Sequence, residues 1–457
     1  MVRDPNLRTA LDGFVKAALT ILITKTEQGE QIPTVQEKKV VFDHSGRLQF
    51  GTQIKKDWTK FATKWRTELE DLESFERAVV SFSTNQDASR HMRLVHYIVL
   101  PGSTDDSAKT ITIRLGELFV MPFLSRLIET SDSLEFSQEK FDLVYRQLEA
   151  YLAAEELPHE QIAPIHNFEC AIDDIVLSDD LAIRIPTERE LHEMANNPFV
   201  SYLELIGTRF VVAYKTKKTD PKYLFERIQL AISSLRLWKT GDFSVTAHFT
   251  FNTLDWEYGA HRVGIGEPQR ALHDTYILTD PLKFQEFFRS IEEFTNRVSQ
   301  SGQMRYINVA IRRFNACNSE IDSEDRLIDA MIALEALYLG DNESTSELGY
   351  RLSLRTAALL GSTYDEARHI QTLVKSAYDR LRSKVVHGRQ IGTLSLGRKE
   401  MLASEVLDEI LGYVRRSIRV FLKLSKVFSS HDEILKAIED AILSESARAS
   451  LRAAAED

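Results

Sequence analysis

The chain has 457 residues, 43% apolar and 27% charged, which suits two or three globular domains with well-buried cores. A formal net charge of −11, most of it before residue 300, excludes a protein that coats nucleic acid through a general basic field, yet leaves room for a small basic cleft admitting one RNA strand. Two distant cysteines, Cys170 and Cys317, exclude a disulfide framework and a Cys-based zinc site, and they read as buried apolar thiols of a reducing compartment.

The N-terminus, Met1-Val2-Arg3-Asp4, has no basic-then-apolar leader, so a cytoplasmic protein is expected. No apolar run reaches the length of a membrane span, and "ALTILIT" (18–24) reads as a core element. Residues 39–51 alternate around Ser-Gly and predict a hairpin. Residues 56–82 carry helical spacing through Trp58, Phe61, Trp65, Leu69, Leu72 and Phe75. Strands are expected at 96–102 and 110–116, and an amphipathic helix over 140–157 stops before Pro158.

A second stretch is expected to begin near Pro164. Residues 172–187 predict two short strands about a Ser-Asp-Asp turn, and 209–216 and 243–252 predict further strands. Helices are expected over 220–242, with Asp220 as cap, Pro221 in the first turn and Gly241 at the close, and over 278–298, opened by Asp280-Pro281. From 303 onward the pattern is helical throughout, with helices at 303–316, 323–340, 345–360, 364–387, 397–428 and 431–454. The expected fold class is α+β: a mixed α/β region at 1–160, a second at 161–299, and an all-α bundle over 300–457. The last helix shows Ile434, Leu435, Ile438 and Ile442 on one side, for packing on the bundle or on a second subunit.

The chemistry concentrates in "YDRLRSKVVHGR" (378–389). Arg382 precedes His387 by five positions, and Gly388 marks a helix end that would place His387 in a last turn, where the dipole favours its protonated form. Five positions are a rotation of about 140° on an α-helix, so the two converge only if the last turn loosens or two subunits share the site. Arg380, Lys384 and Arg389, against Asp379 alone, make a local cationic spot suited to a phosphodiester. Imidazole, with a reference pKa of about 6.5, can move a proton near neutrality, and guanidinium can hold two phosphate oxygens. The plain alternative is a helix-capping histidine beside surface cations. In "EDRLIDAMIALEALYLG" (324–340), Glu335 sits by an apolar stripe of Leu327, Met331, Leu334 and Leu337/Tyr338. It is either solvated or in need of a partner such as Arg351, Arg355, Arg382 or His387.

"RLIDAMIALEALYLG", "ELGYRLSLRTAALLG" (347–361) and "LVKSAYDRLRSKVVHG" (373–388) together resemble the successive helices of an Apea-like HEPN domain, over about 130 residues. The resemblance implies a four- or five-helix bundle that dimerises, bringing two Arg-x4–6-His motifs to one cleft. It implies a metal-independent endoribonuclease that needs no cofactor and acts on tRNA or mRNA, in antiphage defence or a toxin-like system with a phage or antitoxin-like trigger. Arg382 and His387 match the motif pair, Glu335 a recurring acidic position, and Tyr378 and Ser383 flanking positions. Ser383 departs from the Asn, Asp or His common there. In this reading His387 is the general acid/base, Arg382 the phosphate clamp and Glu335 an orienting carboxylate. Arg380, Lys384, Arg389, Ser383 and Tyr378 contact RNA, and the ends formed are a 2′,3′-cyclic phosphate and a 5′-hydroxyl.

The alternative is a non-catalytic RNA- or protein-binding sensor or scaffold with a HEPN dimerisation bundle. Nucleotidyl transfer would need a partner enzyme, since the chain has no transferase motif. "GIGEP" (264–268) reads as a turn and "LHEM" (191–194) is no zinc-protease motif. His91/His96 and His261/His273 lack carboxylate-backed metal spacing. Trp238, Trp256 and Tyr258 read first as core aromatics and second as base-stacking ones.

Overall fold

The computed structural model describes residues 3–42, 48–88, 115–155, 158–197, 200, 205, 207–216, 221–252, 256, 260–265, 274–302, 304–340, 347–382, 393–396 and 399–456. Helix α1 (Pro5–Glu27) starts at Asp4, whose carboxylate accepts from the Asn6 and Leu7 amides. Its buried residues recur at three- and four-residue steps from Leu7 to Leu22, and the apolar run at 18–24 belongs to this stripe. The hairpin of β1 (Thr34–Phe42) and β2 (Leu48–Lys56) is longer at both ends than the alternation at 39–51 suggests. The helical spacing of 56–82 is cut into α2 (Trp58–Lys64), α3 (Arg66–Glu70) and α4 (Glu73–Thr84). The breaks let Trp58, Phe61, Leu69, Val79 and Phe82 all reach one buried cluster with α1.

Residues 96–102 and 110–114, expected as strands, lie outside the described residues. Leu115 and Gly116 are helical and lead into a π turn (Gly116–Val120) and α5 (Met121–Ser131). Helix α6 (Gln138–Ala153), capped by Ser137, ends short of Pro158. The first buried cluster takes in residues up to Leu152, joined by Trp256, whose ring lies tilted against Phe123 at 5.9 Å. Trp256 is therefore a core residue.

The middle of the chain forms a seven-stranded antiparallel sheet in the order β10-β9-β3-β7-β6-β5, with β8 beside β3. Its strands are β3 (His159–His166), β5 (Asp174–Ser178), β6 (Leu181–Arg184), β7 (Thr208–Thr216), β8 (Ser244–Val245), β9 (Ala247–Asn252) and β10 (Ala260–Ile265); short β4 (Phe168–Cys170) pairs in parallel with β11 (Tyr276–Leu278). Gly264 and Ile265, expected in a turn, are in β10. Pro164, expected to open a new stretch, lies inside central β3. It is tolerated because β9 pairs with β3 only up to Ile162 and β8 only from Ile165, so its missing N–H falls at a gap on that side.

Successive β3 residues point to opposite faces, and both faces are covered. Ala163 and Ile165 join Phe210 and Val212 beneath α8 (Pro221–Trp238) and α9 (Pro281–Ser301). Ile162, Val211, Ala213 and Phe249 pack against α7 (Glu188–Asn196) and Val40 of the hairpin. The "LHEM" residues Leu191 and Met194 are buried there, while His192 Nε2 lies 2.8 Å from Glu37. Helix α8 ends at Trp238, before Gly241, and its cap position 220 is outside the described residues. Helix α9 begins as expected, with Asp280 accepting from the Lys283 amide.

The C-terminal part is a helical bundle: α10 (Arg305–Ser319), α11 (Ser323–Tyr338), α12 (Leu348–Leu360), α13 (Tyr364–Ser376) with a π turn (Ala377–Arg382), α14 (Ala403–Val427), α15 (His431–Leu443) and α16 (Glu445–Glu456). The stripe of α11 is buried throughout. Two expectations fail. Residues 399–402, expected to be helical, form β13 (Lys399–Leu402), paired with β12 (Thr393–Leu396), because Leu394 and Met401 sit opposite each other and bury together. The last helix is two, parted at Ser444, so that α16 folds back to place Leu451 in the core. The mixed α+β architecture is otherwise as expected. Both cysteines are buried and free. Among the described residues no helix is long and apolar enough to cross a membrane.

The bundle is fastened to the middle unit at the C-terminus of α8. Arg415 donates to the Arg236 carbonyl and Arg419 to the Trp238 carbonyl, each at 2.8 Å, meeting carbonyls that a helix end leaves unpaired. Burial holds both guanidiniums below their usual pKa. Trp238 packs against Phe284 and Phe287, with the Arg419 guanidinium near its ring, a packing role. Within the bundle, Arg355 is 3% exposed, donates to the Tyr338 carbonyl at 2.5 Å and pairs through Nε with Glu439 at 3.1 Å. Removing the guanidinium leaves a buried carbonyl unmet and a void, whereas Glu439 is half exposed. Arg355→Ala should therefore lower the unfolding free energy by about 2–4 kcal/mol, and Glu439→Ala by less than about 1 kcal/mol, as urea denaturation would measure.

Candidate functional site at the end of the fourth bundle helix

Helix α13 does not run on as an α-helix into the Arg-His segment. From Ala377 it widens into the π turn that ends at Arg382. A π turn closes i→i+5 hydrogen bonds and so brings residues five apart closer to one face than an α-turn does. This turn lies ahead of Arg382, and residues 383–387, which link it to His387, are outside the described residues. Such bulges recur at functional sites because they re-aim side chains at the cost of helix geometry. Here the core accepts the bulge: Ala377 and Leu381 are both fully buried in the bundle cluster.

With Leu381 inward, Tyr378 is half-buried while Asp379 and Arg380 are exposed. Arg382 closes the turn, and its side chain is outside the described set. Ser383, Lys384, His387 and Arg389 also lie outside the described residues, so the expected cationic spot is represented by Arg380. Helix α11, which bears Glu335, packs against the π turn. Glu335 is partly buried, with Oε1 shielded from solvent, so it is not the fully solvated carboxylate of the plain alternative. Arg355, one of the cations considered for Glu335, binds the Tyr338 carbonyl and Glu439.

The first turn of α12 lies against the π turn, and Gly349 makes this possible. A Cβ at 349 would stand 2.3 Å from Asp379 Oδ1 and 2.9 Å from Tyr378 Cδ1, both inside contact distance. Sequence reasoning did not single out Gly349, Tyr350 or Lys375, which line an open cleft of about 510 Å³ with Glu347, Leu348, Tyr378 and Asp379. The available signal was a glycine inside a helical pattern, which marks a close approach as often as a weak point. Among the described residues no three His, Cys, Asp or Glu side chains gather as metal ligands. His91, His96 and His273 are outside the described residues, as is Tyr258; His261 stands in β10.

Comparison of the chain with family models, with curated proteins and with solved structures finds no match in any of the three. The functional reading therefore rests on the chain itself.

The close approach at Gly349 gives a direct test. Gly349→Val should push the π turn off α12, destabilising the protein by about 1–3 kcal/mol and weakening any activity of the Arg382 segment. Gly412, where a Cβ meets nothing within 4 Å, should accept alanine without loss. Thermal unfolding of the two variants would separate the effects.

Proposed function

We propose that the protein is a HEPN-type endoribonuclease acting without a metal ion, with Arg382 and His387 as its working pair. The observation that carries the reading is the π turn Ala377–Arg382, which re-aims the end of a bundle helix where the sequence places Arg-x4-His and packs it on the helix bearing Glu335. Two copies of the chain would meet at this end of the bundle and give one cleft two histidines.

In the step proposed, one imidazole takes the proton of a ribose 2′-hydroxyl. The 2′-oxygen attacks the adjacent phosphorus, the P–O5′ bond breaks, and a second, protonated imidazole supplies the proton to the departing 5′-oxygen. No water is consumed, so the ends are a 2′,3′-cyclic phosphate and a 5′-hydroxyl. Arg382 holds the non-bridging oxygens as charge accumulates on them, a task for a planar fork more than for an ammonium. Glu335, partly shielded on α11, orients the cationic groups of the segment. The region before residue 300 supplies trigger or substrate selection, and the junction of Arg415 and Arg419 with α8 is where its state would reach the bundle. Antiphage defence is the setting that the resemblance implies.

Purified protein should cleave tRNA or mRNA with EDTA present. His387→Ala should lower the rate by about 10³-fold, and Arg382→Ala by about 10²–10³-fold. End-group analysis should find cyclic phosphate. Cleavage by His387→Ala at the wild-type rate would end the assignment. RNA bound but left whole by wild-type protein, insensitive to Arg382→Ala, would favour the non-catalytic binding scaffold.

A further inference from the structure

We infer that the cleft between the first turn of α12 and the π turn is a base-binding subsite, with Tyr350 as its stacking face and guanine as the base it favours. The inference rests on the RNA-cleaving reading for the placement of a strand at this end of the bundle, but its residues are different ones. Tyr350 is 45% exposed beside the cleft, and no hydrogen bond of its hydroxyl is found among the described residues. Lys375 Nζ stands over the ring, 5.7 Å from its centre, an exposed cation that a phosphate can use. Tyr378 closes the inner side, half-buried.

A planar ring, an adjacent cation and an open cleft are what single-stranded nucleic acid uses when a base leaves the stack. Tyr378 and Asp379 precede Arg382 by about one helical turn, ~5 Å along the axis. A base stacked on Tyr350 would therefore belong to a nucleotide next to the phosphate that Arg382 holds.

The carboxylate decides which base. Asp379 is exposed in the cleft, drawn close over Gly349, with no hydrogen bond or ion pair among the described residues. The Watson–Crick edge of guanine presents two adjacent N–H donors, which a carboxylate accepts in two parallel bonds. Uracil presents one N–H between two carbonyls, which the same carboxylate repels. Glu347, also lining the cleft, adds to the repulsion of carbonyl edges. Sequence preference thus comes from Asp379, while most of the affinity comes from the tyrosine face.

The test separates this subsite from the chemistry. Full-length His387→Ala protein is titrated against two fluorescent oligouridylates, one carrying a single central guanosine and one all uridine. The guanosine strand should bind about ten-fold tighter. Tyr350→Ala should weaken both strands by about ten-fold or more. Tyr350→Phe, which keeps the ring, should restore binding, and Asp379→Asn should abolish the preference while sparing the all-uridine strand. Equal affinity for the two strands, or Tyr350→Ala binding both as tightly as the parent, would overturn the subsite, as would no binding of either. Cleavage is scored apart, with His387 intact. A Tyr350→Ala enzyme that cuts the same sites at the same rate sinks the subsite and leaves the nuclease standing. Binding that depends on Tyr350, with a guanosine preference that depends on Asp379, in a protein that never cuts RNA upholds the subsite and sinks the nuclease.

Discussion

Burial of α14 is the constraint on which the C-terminal half depends. This helix hides residues along nearly its whole length from Val406 to Ser425, including polar Ser417, whose hydroxyl bonds Tyr338 at 2.8 Å. A helix with so much to bury must be covered on several sides. Helices α10, α11 and α12 take those sides, and α16 folds back to close another. The same helix reaches out of the bundle through Arg415 and Arg419 to the end of α8. One element thus fixes the core of the bundle and its attachment to the sheet unit.

The site is a consequence of that packing. Once α11 and α12 are fixed against α14, the segment after α13 has only the space left beside them. Ala377 and Leu381 have to enter the core, and a π turn is the backbone solution that lets both do so while Tyr378, Asp379 and Arg380 face outward to different degrees. Gly349 is the matching concession on α12, because any side chain there would occupy the space of Asp379. A bulged helix end held by a glycine on its neighbour offers exposed polar groups on a rigid support, which is the combination that binding and catalysis require.

The cations of the two regions differ in exposure. The cations that join the units, Arg415 and Arg419, are partly buried and each meets a backbone carbonyl at the end of α8. Those at the bundle end, Lys375 and Arg380, are exposed. On a chain with a net charge of −11, exposed cations beside a cleft stand out from the general field and can hold a phosphate locally without making the whole surface adhesive.

Much of the fold was written in local pattern. Asp280-Pro281 and the three- and four-residue steps of α11 are short-range signals, and each names its helix because capping and amphipathicity involve neighbours in the chain. The Arg-x4-His spacing and Glu335 on the edge of a stripe were legible for the same reason. What the tertiary structure alone decided involves partners distant in sequence. Pro164 sits in a central strand only because two other strands leave a gap beside it. Leu394 and Met401 form a hairpin because they share a core. Arg355 meets Glu439 from another helix, and Tyr350, Lys375 and Asp379 gather because Gly349 lets α12 and the π turn touch. A local pattern can fix which face of an element turns inward, but not what it meets there, since that is set by the competition of all buried surfaces for one core.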